Sequence, residues 1–202
     1  AQVDVISVIG SCEISSELKE LLDDVEVDTQ YLITQQDRTA SKKSRIVASQ
    51  QQVVRYDRES TDEINIQSQS IILDTFKKII KDYDIVLFSD YGKGVLTHKL
   101  TQSLIKIANK YGKKVLIDPK GLDYSKYKDA FLLTPNKKEA SDATKINIKD
   151  DKSLTQAIIK LKSEYNLDVS LITLSGQGVA IYDDEFRKHP TAAREVYDVT
   201  GA

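Results

Sequence analysis

The 202-residue sequence has no methionine and a single cysteine, Cys12. One cysteine excludes an intrachain disulfide and fits a reducing compartment, and Cys12 reads as a buried or merely tolerated thiol before it reads as a nucleophile. Nowhere does an apolar run approach the roughly 20 residues of a membrane span, and no basic-then-apolar leader is seen. The chain therefore reads as cytoplasmic, with no membrane partner. An excess of one charge is missing too: 29 basic and 31 acidic residues leave a net charge of −2, without the broad basic surface of a nucleic-acid binder. The lack of methionine, together with a strand-like pattern already under way at Gln2 to Ile9, points to an internal piece of a longer protein. What is there, 40% hydrophobic and 30% charged residues, is an ordinary globular composition. Residues 1–202 read as one large domain able to bury a sizeable core.

The strongest organising feature is DIVLFSDYGKG at 84 to 94. Ile85 to Phe88 show no polar alternation, as expected of a parallel strand covered on both faces, although a buried helical segment would read similarly. KVLIDPK (114 to 120), AFLLTPNKKE (130 to 139) and VSLITLSGQG (169 to 178) repeat this pattern of apolar run and polar tip. Upstream, VDVISVIG (3 to 10) and a helix bearing Ile14, Leu18, Leu21 and Leu22 predict a βα unit, with a further strand at 27 to 34. From Ser44 to Tyr56 the apolar residues recur every second position, which predicts a half-exposed β-hairpin appendage. Helices follow with Ile72, Phe76, Ile79 and Ile80, then with Leu100, Leu104, Ile107 and Ala108 after a Thr97 cap, then with Leu154, Ala157, Ile158, Leu161 and Tyr165 after Asp150 or Asp151. The tyrosines of GLDYSKYKDA read as a surface turn. VSLITLS and VAIYDD read as a hairpin, and EFRKHPTAAREVYDVTGA shows little periodicity.

Four motifs fall at strand ends or helix starts, where ligands gather in open α/β sheets. In DYGKG the glycines suit a turn or a close backbone approach, while Asp90 can accept from sugar hydroxyls and Lys93 can meet a phosphate. In PNKKE, Asn136 and Glu139 form a capping-box pattern and can equally organise hydrated Mg²⁺ beside nucleotide phosphates. TLSGQG is acceptable as a hairpin turn and also offers Ser175 and exposed amides to phosphate oxygens. In DVTGA, Thr200 and Gly201 precede a nascent helix and could form an anion hole.

This ordered set resembles the ribokinase-like (PfkB) carbohydrate kinase family. PNKKE fits its Asn-x-x-Glu motif, TLSGQG its Thr-Leu-Gly/Ser-x-x-Gly nucleotide turn, and DVTGA the front of its Asp-Thr-x-Gly-Ala-Gly-Asp signature. Within the family, SRIVASQQQVVRYDRE, LFSDYGKGVLT and LIDPKGLDYSKYKDAFLLTPNKKEA are most similar to the kinase domains that act on heptose phosphates, which are often fused to an adenylyltransferase. The resemblance implies a three-layer α/β/α domain with a mostly parallel sheet and a β lid at 44–56. It implies ATP-dependent phosphorylation of D-glycero-β-D-manno-heptose 7-phosphate at C1, serving ADP-heptose and lipopolysaccharide-core supply, and a homodimer through the lid. By the same resemblance, Asn136, Lys137, Lys138 and Glu139 lie at the ATP site, with Glu139 at the Mg²⁺. Ser175 and Gly178 form the nucleotide turn, Thr200 and Gly201 the anion hole, and Asp90, Lys93, Arg45 and Arg55 face the sugar phosphate. Arg45 and Arg55 read equally well as exposed lid charges. The family's catalytic base closes Gly-Ala-Gly-Asp and would fall two residues beyond Ala202; Asp198 opens the signature and is not that base. Val199 replaces the common Thr, and the family's first strands and Gly-Gly substrate motif have no counterpart upstream of Val3. The expectation is a kinase whose 202-residue piece is inactive alone. The alternatives are a kinase for another sugar or a non-catalytic nucleotide-binding or dimerisation module.

Overall fold

The computed structural model describes residues 3–48 and 51–191. The chain divides into two compact units, Ala1–Ile79 with Gly92–Leu100, and Ile80–Tyr91 with Thr101–Ala202.

In the first unit, β1 (Ser7–Ile9) leads into α1 (Glu13–Asp24), and β2 (Leu32–Thr34) returns parallel to β1 with Ser7 opposite Leu32. This is the expected βα unit. The strand expected over 27 to 34 is reduced to its last three residues, because the Asp28 carboxylate accepts from the Gln30 amide at 2.8 Å and so favours a turn over a ladder. β3 (Lys42–Ala48) and β4 (Gln51–Arg58) pair antiparallel as a separate two-stranded sheet, matching the hairpin expected at 44 to 56. α2 (Ile66–Ile79) buries Ile72 and Phe76 as its spacing predicts, and Asn65 starts it by accepting from the Ser68 amide at 2.8 Å.

The second unit is built on a six-stranded sheet in the order β10-β9-β8-β7-β6-β5. Here β5 is Ile85–Ser89, β6 Lys114–Asp118, β7 Leu132–Leu133, β8 Val169–Thr173, β9 Val179–Tyr182 and β10 Phe186–His189. β5 to β8 run parallel, and β9 and β10 are antiparallel additions. The helices of this part of the chain are α3 (His98–Lys110), α4 (Lys137–Thr144) and α5 (Asp151–Glu164). Val115, Ile117, Leu133 and Ile172 are wholly buried in the sheet, each contributing roughly 1.5–3 kcal/mol of transfer free energy. Asp150 caps α5 by accepting from the Ser153 amide at 2.8 Å, and the buried Ser170 hydroxyl donates to the Ile158 carbonyl at 2.8 Å, tying α5 to β8.

One expectation is corrected by the structure. β5 is not covered on both faces: Phe88 is buried, but Ile85 and Leu87 are 55% and 68% exposed. Ile85 and Leu87 lie on the face that β6 lines with Lys114 and Leu116, while Phe88 shares the buried face of Ile117, and a run of apolar residues does not say how many of its faces are covered. The segment with little periodicity contains β10, whose Arg187 holds Asp183 at 2.5 Å beside the turn from β9. A short edge strand needs only one partner and so carries no strong apolar pattern. No helix among the described residues is long and apolar enough to cross a membrane.

Candidate functional site

The parallel strands β5, β6 and β7 end side by side, and each delivers polar residues at its carboxyl end. After β5, the Asp90 amide donates to the Asp118 carbonyl at 3.1 Å, which extends the ladder one step and fixes the Asp90 backbone. The Asp90 side chain is almost fully buried, and its Oδ2 accepts from Lys126 Nζ and from the Tyr127 hydroxyl, each at 2.6 Å. β6 ends at Asp118, two residues before Lys120. Loss of solvent around the Asp118 carboxyl, then repulsion from Glu139, raises its pKa; Lys120 opposes the shift and Asp90 adds to it. These groups therefore share one electrostatic neighbourhood.

After β7, Asn136 stands at the N-cap of α4 with a complete capping box: the Glu139 amide donates to Asn136 Oδ1 at 2.9 Å, and the Asn136 amide donates to Glu139 Oε2 at 3.0 Å. The other oxygen, Glu139 Oε1, meets Lys120 Nζ at 3.1 Å. Asn136 also bridges to Thr173, so the α4 start is held against the end of β8. Asp90, Asp118, Lys120, Asn136 and Glu139 thus occupy one edge of one sheet, as the strand-end pattern predicts for Asp90 and Asn136. Lys137 and Lys138 begin α4 and are exposed. The turn from β8 to β9 is closed by the Leu174 amide donating to the Gly178 carbonyl at 2.8 Å, with Ser175 at its apex. Gly178 has φ 92° and ψ −133°, and a Cβ there would stand 1.9 Å from the His189 carbonyl oxygen, so only glycine fits without strain.

The remaining sugar-side candidates lie in the first unit. Lys93 makes an ion pair with Glu59, and the buried Arg38 guanidinium donates to the Lys93 carbonyl. Gly94 is needed here, since at φ 78° a Cβ would stand 1.9 Å from the Asp62 carbonyl oxygen. Arg45 and Arg55 are directly opposite one another on the hairpin. Like charges facing across strands destabilise a hairpin unless an anion intervenes. Asp57 partly serves, 3.0 Å from Arg55. Thr200 and Gly201 lie outside the described residues, as does Asp198.

The tyrosines of GLDYSKYKDA are corrected from surface to core. Tyr124 and Tyr127 have no exposure, their rings meet edge-on at 5.6 Å, and Tyr127 reaches back to Asp90. Asp118 and Lys120 were also outside the set of candidates, although the tip of KVLIDPK carried the signal. Nothing local marked Lys126 and Tyr127, because their partner lies 36 and 37 residues away.

A hard divalent cation suits the chemistry of this edge. Its donors are carboxylate oxygens, and beside the burial that chiefly raises the Asp118 pKa stand the negative charges of Glu139 and Asp90, which a cation would offset. Among the described residues no three His, Cys, Asp or Glu side chains form a ready cage. That fits a hydrated ion held largely by phosphate oxygens and water.

The family model described as pfkB family carbohydrate kinase matches residues 1–202. A protein named Bifunctional protein HldE from Aliarcobacter butzleri is 58% identical over 200 residues, spanning 99% of this chain and 42% of that protein. Proteins of the same name from Campylobacter fetus and Helicobacter hepaticus are 50% and 46% identical over all of this chain, which covers 44% and 42% of them. The chain thus spans less than half the length of these relatives. In fold it is similar to Escherichia coli phosphofructokinase-2 in complex with potassium, with TM-score 0.74, 18% identity, and 95% of this chain against 62% of that one. It is equally similar to Arabidopsis thaliana ribokinase complexed with ribose and ATP, with TM-score 0.74, 16% identity, and 98% against 64%. The mostly parallel α/β architecture is that of ribokinase-like kinases.

Proposed function

Because this chain belongs to the pfkB family of carbohydrate kinases, we propose that the protein containing it transfers the γ-phosphoryl group of ATP to the C1 hydroxyl of D-glycero-β-D-manno-heptose 7-phosphate, giving the 1,7-bisphosphate for ADP-heptose and lipopolysaccharide-core synthesis. The observation that carries the reading is the grouping of Asp90, Asp118, Lys120, Asn136 and Glu139 at one carboxyl edge of the parallel sheet. Similarity of the DYGKG and DPKGLDYSKYKDAFLLTPNKKE segments to heptose-phosphate kinases supports the choice of sugar.

Phosphoryl transfer is chiefly positioning and charge stabilisation, and this edge supplies both. Asn136, Lys137, Lys138 and Glu139 offer the α4 N-terminus and two cations to nucleotide phosphates, and Ser175 and Gly178 shape the turn beside them. Glu139 and Asp118 would hold Mg²⁺ through its water shell, where the ion neutralises the charge of the transferred group. Lys120, paired with Glu139 Oε1, adds a further cation to this edge. Asp90 accepts from sugar hydroxyls, while Lys93, Arg45 and Arg55 are the cations for the sugar's own phosphate. Thr200 and Gly201 are assigned the anion hole, and the base is assigned to the Asp that ends the family signature.

For assembly, the hairpin supports a homodimer. Ile46 and Val54 are direct cross-strand partners, Tyr56 shares their face, and all three are about half exposed or more. A second copy of the hairpin would cover them; sedimentation of the full-length protein as a monomer would remove this part. The activity is tested by supplying the full-length protein with Mg-ATP and, separately, heptose 7-phosphate, fructose 6-phosphate and ribose. Preferred formation of heptose 1,7-bisphosphate is expected. Preference for another acceptor would overturn the sugar assignment, and transfer to none would overturn the kinase reading.

A further inference from the structure

The segment after β6 folds back over the ends of β5 and β6 and brings Lys126 and Tyr127 to Asp90. Tyr127 sits in a short 3-10 turn, Ser125–Tyr127, with no solvent exposure. Its hydroxyl accepts from the Lys120 amide at 3.1 Å and donates to Asp90 Oδ2 at 2.6 Å. Lys126 Nζ donates to the same oxygen at 2.6 Å and lies 5.0 Å from the centre of the Tyr127 ring. The ring is fixed independently of these bonds, packed edge-on at 5.6 Å against Tyr124, which in turn lies 5.8 Å from Tyr165. Burial, then the bond to Asp90, pushes the Tyr127 phenol well above its usual range, so it remains a donor at any working pH.

A donor held by packing dictates the rotation of the carboxylate it meets, whereas a mobile donor would follow it. Tyr127 also links that carboxylate to the backbone of Lys120, whose ammonium meets Glu139. One hydroxyl therefore joins the end of β5 to the loop that leaves β6.

We propose that Lys126 and Tyr127 are positioning residues for the acceptor sugar, holding the Asp90 carboxylate in a fixed orientation for the hydroxyls it receives. This rests on the reading of Asp90 as a sugar-side acceptor. Neither residue needs to touch the sugar; both act through Asp90.

The test uses the full-length protein, with constants for sugar phosphate and for ATP measured separately. Tyr127→Phe removes one hydrogen bond to a charged group, so KM for the sugar phosphate should rise roughly tenfold while KM for ATP stays unchanged. Lys126→Gln should show the same split, and Lys126→Arg should restore near-normal values. Unchanged constants, or equal changes for both substrates, would overturn the proposal, since a merely structural defect has no reason to select the sugar. A double-mutant cycle of Tyr127→Phe with Asp90→Asn, followed by urea unfolding, supplies a readout free of catalysis: coupling is expected, and strict additivity overturns the contact. If the unmutated protein phosphorylates no sugar, the kinase reading and this inference fall together. If it does and the variants behave as wild type, the inference alone falls.

Discussion

The Asn136 corner and the Asp90 corner lie on the same edge of one sheet, yet they are assembled in opposite ways. Asn136 and Glu139 satisfy each other's backbone amides across three residues, a local unit that any helix start could contain, which Lys120 and Thr173 then join from farther along the chain. Asp90 has its place fixed by Asp118 and its carboxylate fixed by Lys126 and Tyr127, all distant in sequence. The local corner can form as soon as α4 does, while the other exists only once the sheet and the 121–130 segment have packed. Substitutions at the two should therefore differ in size and in reach.

The largest effect is expected at the non-local corner. Asp90→Ala removes the acceptor that the Lys126 ammonium and the Tyr127 hydroxyl share in a largely buried place, and should cost about 3 kcal/mol in urea unfolding, the scale for breaking a buried ion pair. A loss under about 1 kcal/mol would make Asp90 no more than a surface-like charge and dissolve the contrast. Beside the local corner, Gly178→Ala is expected to cost about 2 kcal/mol, because φ is left-handed and the new methyl meets a backbone carbonyl. Asn136→Ala removes one cap and should cost about 1 kcal/mol, with Asn136→Ser recovering most of it. If Asn136→Ala were as damaging as Asp90→Ala, the cap would be doing more than closing its own helix.

Smaller still, Tyr124→Phe deletes a buried hydroxyl that has no hydrogen-bond partner among the described residues and should be neutral or stabilising by up to about 1 kcal/mol. Destabilisation would mean the hydroxyl is paired, so that Tyr124 belongs to the polar network and not only to the ring packing behind it. Away from both corners, Cys12 provides a control in the first unit. Hydrogen bonds from the Ser15 side chain and from the backbone of Ala40 and Ser15 lower its thiol to about 7. Alkylation rate should therefore rise with pH to a midpoint near 7, unchanged by Asp90→Ala; a midpoint near 9 would remove the contribution of Ser15.

The sequence by itself determined what depends on near neighbours or on periodicity. The caps at Asp150 and Asn136, the apolar faces of α2 and α5, the hairpin at 44–56 and the strand ends at Asp90 and Asn136 all follow from spacing, because backbone donors and apolar stripes are satisfied within a few residues. The tertiary structure decided what depends on who arrives from elsewhere. Ile85 and Leu87 are as apolar as Val115 and Ile117, but the parallel register puts them on the opposite face of the sheet, beside Lys114 and Leu116, so similar runs end with opposite exposure. Tyr124 and Tyr127 stand among charges in the chain, and only the return of their turn onto the sheet buries them. Lys126, separated from Asp90 by 36 residues, becomes its ion-pair partner for the same reason. Pairing across such a separation is set by the closure of the fold, and no local pattern encodes which charge will be waiting there.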